Sequence, residues 1–135
     1  LDLTKDTTQK VEYAIQFAKI FGDSTIRAIS VLDTTSERVV KKLTSQMMEV
    51  ESHIEQSGVD CCAEIVKIIK GEDNLPSAII AYAEKIEADI IMIMTQQENN
   101  PTEFFIGSKA QTIINKSLIP VMSFVPRGTN ALNYL

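Results

Sequence analysis

The stretch Ala88 to Val125, ADIIMIMTQQENNPTEFFIGSKAQTIINKSLIPVMSFV, decides how the rest of the chain is read. Its first apolar run, Ile90 to Met94, has no polar alternation, the pattern of a parallel strand buried on both faces. From Thr95 to Glu103 the residues are polar, which predicts a surface loop of the kind that often carries function. Ile106-Gly107-Ser108 then opens a helix with Ser108 as its N-cap. Ala110, Ile113, Ile114 and Leu118 recur at the spacing of one buried helical face. Pro120 stops that helix, and Val121 to Val125 follow as a strand. The unit is βαβ, and ligands of such units sit above the carboxyl end of the strand, facing the helix N-terminus.

Working back from there, the same alternation recurs. Asp6, Thr7 and Thr8 offer N-caps for a first helix carrying Val11, Ala14, Ile15, Ala18 and Phe21, with Gly22 as its stop. Thr25 to Leu32 alternates and is β-branched, so it reads as a strand. A long helix follows from Ser36, with Val40, Leu43, Met47, Val50 and Ile54 on its apolar face and its charges on a solvated one. Met47 and Met48 read as core filler. Gly58 ends this helix. Cys61 to Ile69 is the next strand, Lys70 to Asp73 a turn, and Asn74 caps a helix with Pro76 in its first turn and Ile79, Tyr82, Ala83 and Ile86 buried. Leu1-Asp2-Leu3-Thr4 reads as the end of a first strand, with several further apolar residues expected before Leu1 because a central parallel strand needs about five or six. The order β-α-β-α-β-α-β-α-β predicts an α/β fold: an open, doubly wound parallel sheet of five strands with helices on both faces. Residues 1–126 form the domain, and the tail 127–135, without usable periodicity, is a terminal arm.

IGSKAQTIINKSLIPVMSFVP resembles the C-terminal signature of the universal stress protein family, in which a Gly-Ser opens the last helix and a Pro-Val pair opens the last strand. The resemblance implies the adenine nucleotide alpha hydrolase-like arrangement, strand order 3-2-1-4-5, and a homodimer formed through the last strand, Val121, Met122, Ser123, Phe124 and Val125. It also implies where nucleotide would lie: Asp2 after strand one and Val31 at the end of strand two for adenine and ribose, and Gly107 and Ser108 for phosphate, where Lys109 adds a favourable charge. The family's ATP binders place two further glycines before that Gly-Ser. Here those positions hold Met94 and Gln97. Glycine serves there because backbone N–H groups must come close to phosphate oxygens, often at positive φ, which a Cβ obstructs. Glu98 and Glu103 add negative charge, each costing on the order of 1 kcal/mol against a phosphate at solvent-like screening. ATP binding is therefore expected to be weak or absent, with no cofactor required. The alternative is a sensor that binds ATP or AMP through a modified loop, and a second is one half of a tandem stress protein acting as an interaction module.

Composition narrows the other classes. A chain of 135 residues with 44% hydrophobic content builds one ordinary core. A formal charge of −5 argues against nucleic acid, and the absence of an apolar run of about 18 residues argues against a membrane span, so a cytoplasmic protein is expected. Adjacent strand residues point to opposite faces, so Cys61 and Cys62 are badly placed to chelate one metal together and read as small hydrophobes. The single histidine, His53, reads as a solvated surface residue without a nucleophile beside it. There is no G-x-S-x-G elbow and no Walker lysine after a glycine-rich loop, so no catalysis is expected. A phosphoacceptor receiver would place a lysine after strand five, where Pro126-Arg127 stands. A flavodoxin would use the hydroxyls from Thr4 to Thr8 on phosphate, but the chain has no tryptophan to stack a flavin, and helix capping already accounts for those threonines.

Overall fold

The computed structural model describes residues 1, 7–95 and 107–125. In chain order these form α1 (Thr7–Phe21), β1 (Thr25–Leu32), α2 (Glu37–Gln56), β2 (Asp60–Lys67), α3 (Leu75–Lys85), β3 (Ile91–Met94), α4 (Ser108–Lys116) and β4 (Val121–Phe124). The chain makes two compact units, Leu1–Ala78 and Ile79–Leu135.

In the first unit β1 and β2 pair in parallel, from Thr25 opposite Asp60 to Leu32 opposite Lys67, joined through α2. The helices form where apolar residues recur every three or four positions, and glycines stop them. Gly22 (φ 76°) ends α1 and Gly58 (φ 90°) ends α2, conformations that cost a residue with a Cβ. Val11, Ile15 and Ala18 of α1 pack with Ile54 of α2 and Val59, and Leu1, Ile26, Val50 and Cys61 close around them. Ile54 is only 1% exposed, and a side chain so buried contributes roughly 1.5–3 kcal/mol. Met47 is buried as expected, but Met48 is 63% exposed, because one further residue turns it about 100° off the core face.

In the second unit β3 and β4 pair in parallel, from Ile91 opposite Val121 to Met94 opposite Phe124, joined through α4. Ala83, Ile91 and Ile113 form the centre of its core, with Ile79, Ile80, Ile93, Ile119 and Val121 packed around it.

The α/β alternation and parallel pairing follow the sequence, and the described residues hold four of the five expected strands, in two two-stranded sheets. Each observed pair is a neighbour pair of the expected order, the second and third strands in one sheet and the fourth and fifth in the other. Of the expected first strand only Leu1 is described. Its backbone nitrogen donates to the Ile29 carbonyl, and its carbonyl accepts from the Ser30 hydroxyl at 2.6 Å. Leu1 therefore flanks the side of β1 that β2 leaves open.

Beyond shifts of one residue at the ends of β2, β3 and β4, three boundaries depart from expectation. β2 stops at Lys67, and Ile69 is 60% exposed, since the Asp73 amide donates to the Ile69 carbonyl at 3.0 Å and curls the chain into a turn. The α4 N-cap is Gly107, with Ser108 inside the first turn. That helix ends at Lys116, where Ser117 adopts an extended conformation, and Leu118 is consequently 92% exposed while Ile119 takes the core position. Asn74 does cap α3, its side-chain oxygen accepting from the Ser77 amide at 3.0 Å. Residues 96–106, which include most of the expected loop, and the tail 127–135 lie outside the described residues.

Candidate functional site

In the second unit the carboxyl end of β3 is fixed by Thr95. Its amide donates to the Phe124 carbonyl at 3.0 Å and its hydroxyl to the same oxygen at 3.3 Å, and the residue is only 6% exposed. The polar run predicts a loop from Thr95 onward, and the β-branched side chain of Thr95 is the one local sign that the strand pairing continues. Met94, half-buried, precedes it opposite Phe124. The position where the resemblance implies a glycine is thus occupied by a side chain on a residue held in a strand ladder.

Among the described residues no side chain caps the N-terminus of α4. Gly107 brings no side-chain cap, and a Cβ there would meet nothing among the described residues. Ser108 and Lys109 are exposed in the first turn, which carries no acidic residue. The free first-turn N–H groups of a helix carry partial positive charge, and Lys109 adds a full one, a setting that favours an anion. Ser108 has its carbonyl engaged by the Thr112 hydroxyl at 2.8 Å.

Val31 belongs to the first unit, half-buried in β1 opposite Val66. Backbone groups alternate sides along a strand. The Leu32 carbonyl accepts from Ile68 of β2, and the Ile29 carbonyl accepts from Leu1 on the opposite side. The amide and carbonyl of Val31 therefore face away from β2, on the edge that Leu1 flanks. Asp2 and Gln97, the remaining candidates, lie outside the described residues.

The other candidate groups have structural explanations. His53 is exposed on α2, and its Nε2 lies 2.9 Å from a carboxylate oxygen of Glu12 on α1. Cys61 packs against the first core, and its thiol is pushed up to about 11 by burial first, then by the charges of Glu51, Cys62 and Glu55. A thiol held protonated is a poor nucleophile. Among the described residues no group of three histidines, cysteines or acids is placed to hold a metal ion, and no helix is long and apolar enough to cross a membrane. In β4, Ser123 is exposed while Val121, Met122, Phe124 and Val125 are partly buried, and among the described residues the strand's ladder is to β3.

Comparison with known proteins gives the family. The model of the universal stress protein family matches residues 1–124. No curated protein sequence matches the chain. Among solved structures, a universal stress protein from Archaeoglobus fulgidus in complex with dAMP is similar with a TM-score of 0.70 at 17% identity, over 91% of this chain and 90% of that one. A universal stress protein in complex with cAMP is similar with a TM-score of 0.71 at 13% identity, over 94% and 93%. A further universal stress protein from Archaeoglobus fulgidus matches 96% of this chain at 23% identity and a TM-score of 0.69, with only 42% of its own length covered. At these identities the structures speak for the fold, an α/β arrangement of helices and parallel strands. With the family model spanning nearly the whole sequence, the chain belongs to the universal stress protein family.

Proposed function

We propose that this chain is a regulatory universal stress protein without catalysis of its own, acting in the cytoplasm as a homodimer paired through β4, with weak or no affinity for ATP. The observation that carries the reading is Met94. It ends β3 in register with Phe124, and Thr95 pins the backbone immediately after it. Backbone N–H groups there cannot approach a triphosphate as they would at a glycine free to take positive φ. The non-catalytic part rests on the protonated Cys61 thiol and on His53, engaged at the surface by Glu12.

A second reading is favoured by the uncapped end of α4 and by the dAMP and cAMP carried by two similar structures. One phosphate asks less of a loop than three, so an adenosine monophosphate is the nucleotide this chain would accept first, with Gly107, Ser108 and Lys109 at its phosphate. A third, half of a tandem protein, draws on the similar structure that is more than twice as long.

Calorimetric titration with ATP and with AMP, Mg²⁺ present and absent, tests the proposal. The expected result is no saturable ATP binding at about 1 mM, the regime of about 4 kcal/mol. Micromolar ATP binding overturns the proposal in favour of a nucleotide sensor, and steady phosphate release removes the non-catalytic part.

A further inference from the structure

Glu37 aside, the charges on the exposed face of α2 are sorted by sign along its length. Arg38, Lys41 and Lys42 occupy the first half, and Glu49 and Glu55 the second, all exposed. A helix that only needs solubility mixes its signs at i,i+4, because opposite pairs stabilise it and like pairs do the reverse. Here Glu37 and Lys41 make one favourable spacing, yet Arg38 stands four residues before Lys42. Between the two halves the outward stripe holds the small, exposed Ser45 and the apolar Met48, 63% exposed.

Such a stripe is complementary to itself when reversed. We infer that the outward face of α2 is a self-association surface, on which the α2 of a second copy of this chain packs antiparallel about a two-fold axis near Ser45. With the axis there, Lys41 stands opposite the partner's Glu49, and symmetry repeats the contact on the other side. Lys42 lays its aliphatic stem along the partner's Met48, and Ser45, being small, lets the helices approach. Charge complementarity commits the face to a second copy: an acidic partner of another kind would use the basic half and leave Glu49 facing like charge. One helix pair belongs to the small, transient class of interfaces, below about 1,200 Å² in all, so the association is weak and salt-sensitive. The face is independent of β4 and of any nucleotide.

Sedimentation velocity of the full chain across a concentration series, at low salt and in 1 M NaCl, tests it. Lys41→Glu and Glu49→Lys are each expected to weaken the low-salt association about tenfold, since each reverses two symmetric contacts. The double variant Lys41→Glu with Glu49→Lys exchanges the signs within one chain and is expected to restore it. Ser45→Cys is expected to cross-link to itself under mild oxidation, identified by peptide mapping apart from Cys61 and Cys62. All these positions are exposed, and circular dichroism verifies that the variants remain folded. A wild type without a salt-sensitive step, or a double variant no stronger than the singles, overturns the inference. Loss of association in Met122→Lys with the salt-sensitive step intact bears on the β4 dimer alone.

Discussion

The Glu51 carboxylate of α2 accepts a hydrogen bond from the Ala63 amide of β2 at 3.1 Å. The Ile68 amide donates to Leu32 of β1, so alternation sends the odd-numbered backbone groups of β2 to its outer edge. Ala63 is one of these. A strand edge left open invites another strand, and here a side chain from the covering helix occupies one of its donors.

Removing that side chain has two expected consequences. Glu51→Ala is expected to cost about 1 kcal/mol, a modest figure because the freed amide can reach water. It is also expected to increase aggregation on prolonged incubation. Urea titration measures the first and light scattering the second; unchanged scattering would show that the edge is guarded by something other than Glu51.

Cys61 ties stability to alkaline pH. Its thiol titrates at about 11 in the fold against 9.0 for the ordinary group, so between those values the unfolded chain has released a proton that the folded one retains. Stability is then full below pH 9 and falls as pH rises toward 11. In a Cys62→Ser background, alkylation of Cys61 in the folded protein is expected to be slow at pH 8 and to accelerate toward pH 11. Adding Glu51→Gln should speed it at a given pH by removing one of the raising charges, with burial keeping most of the shift.

Met94→Gly combined with Gln97→Gly is expected to bring measurable ATP binding to a chain that lacks it. The gain should be modest, since two glycines also add loop entropy and Glu98 and Glu103 remain. Isothermal calorimetry against the wild type checks this, and equal absence of binding in both would assign the exclusion to something other than the missing glycines.

Placing a lysine at the exposed Ser123, or at Met122, is expected to move the protein toward monomer on a sizing column, because a charged edge resists strand pairing. Monomeric wild type at micromolar concentration would remove β4 as the interface.

Ile54→Ala is expected to cost about 2–5 kcal/mol, leaving a cavity between α1 and α2 where the side chain is 1% exposed. Leu118→Ala, at a residue 92% exposed, should stay within about 0.5 kcal/mol. Equilibrium denaturation of the two variants side by side reads the contrast directly.

Most elements of this protein could be read one at a time from local physics. The apolar period of α1 and α2, their glycine stops, the Asn74 cap and the β-branched run of β1 each depend on residues within a few positions of one another, and the signature from Ile106 to Pro126 pointed to the family. The bulk at Met94 was equally visible, because a missing glycine is a fact of sequence.

Tertiary structure decided what rests on distant partners. Leu118 has the spacing of a core residue but lies beyond the last helical turn, because Ser117 leaves the helix and Ile119 fills the core. Thr95 is polar and stands before a polar loop, yet Phe124, far along the chain, draws it into the strand ladder. The α3 stop at Glu87, in a left-handed conformation at φ 54° without a glycine, carries no sequence signal at all. Glu51 looks like any charge on a solvated helix until β2 brings the Ala63 amide to it. In each case the sequence states a residue's own preference, and the outcome is set by which partner the folded chain supplies, which is a long-range property that no short window contains.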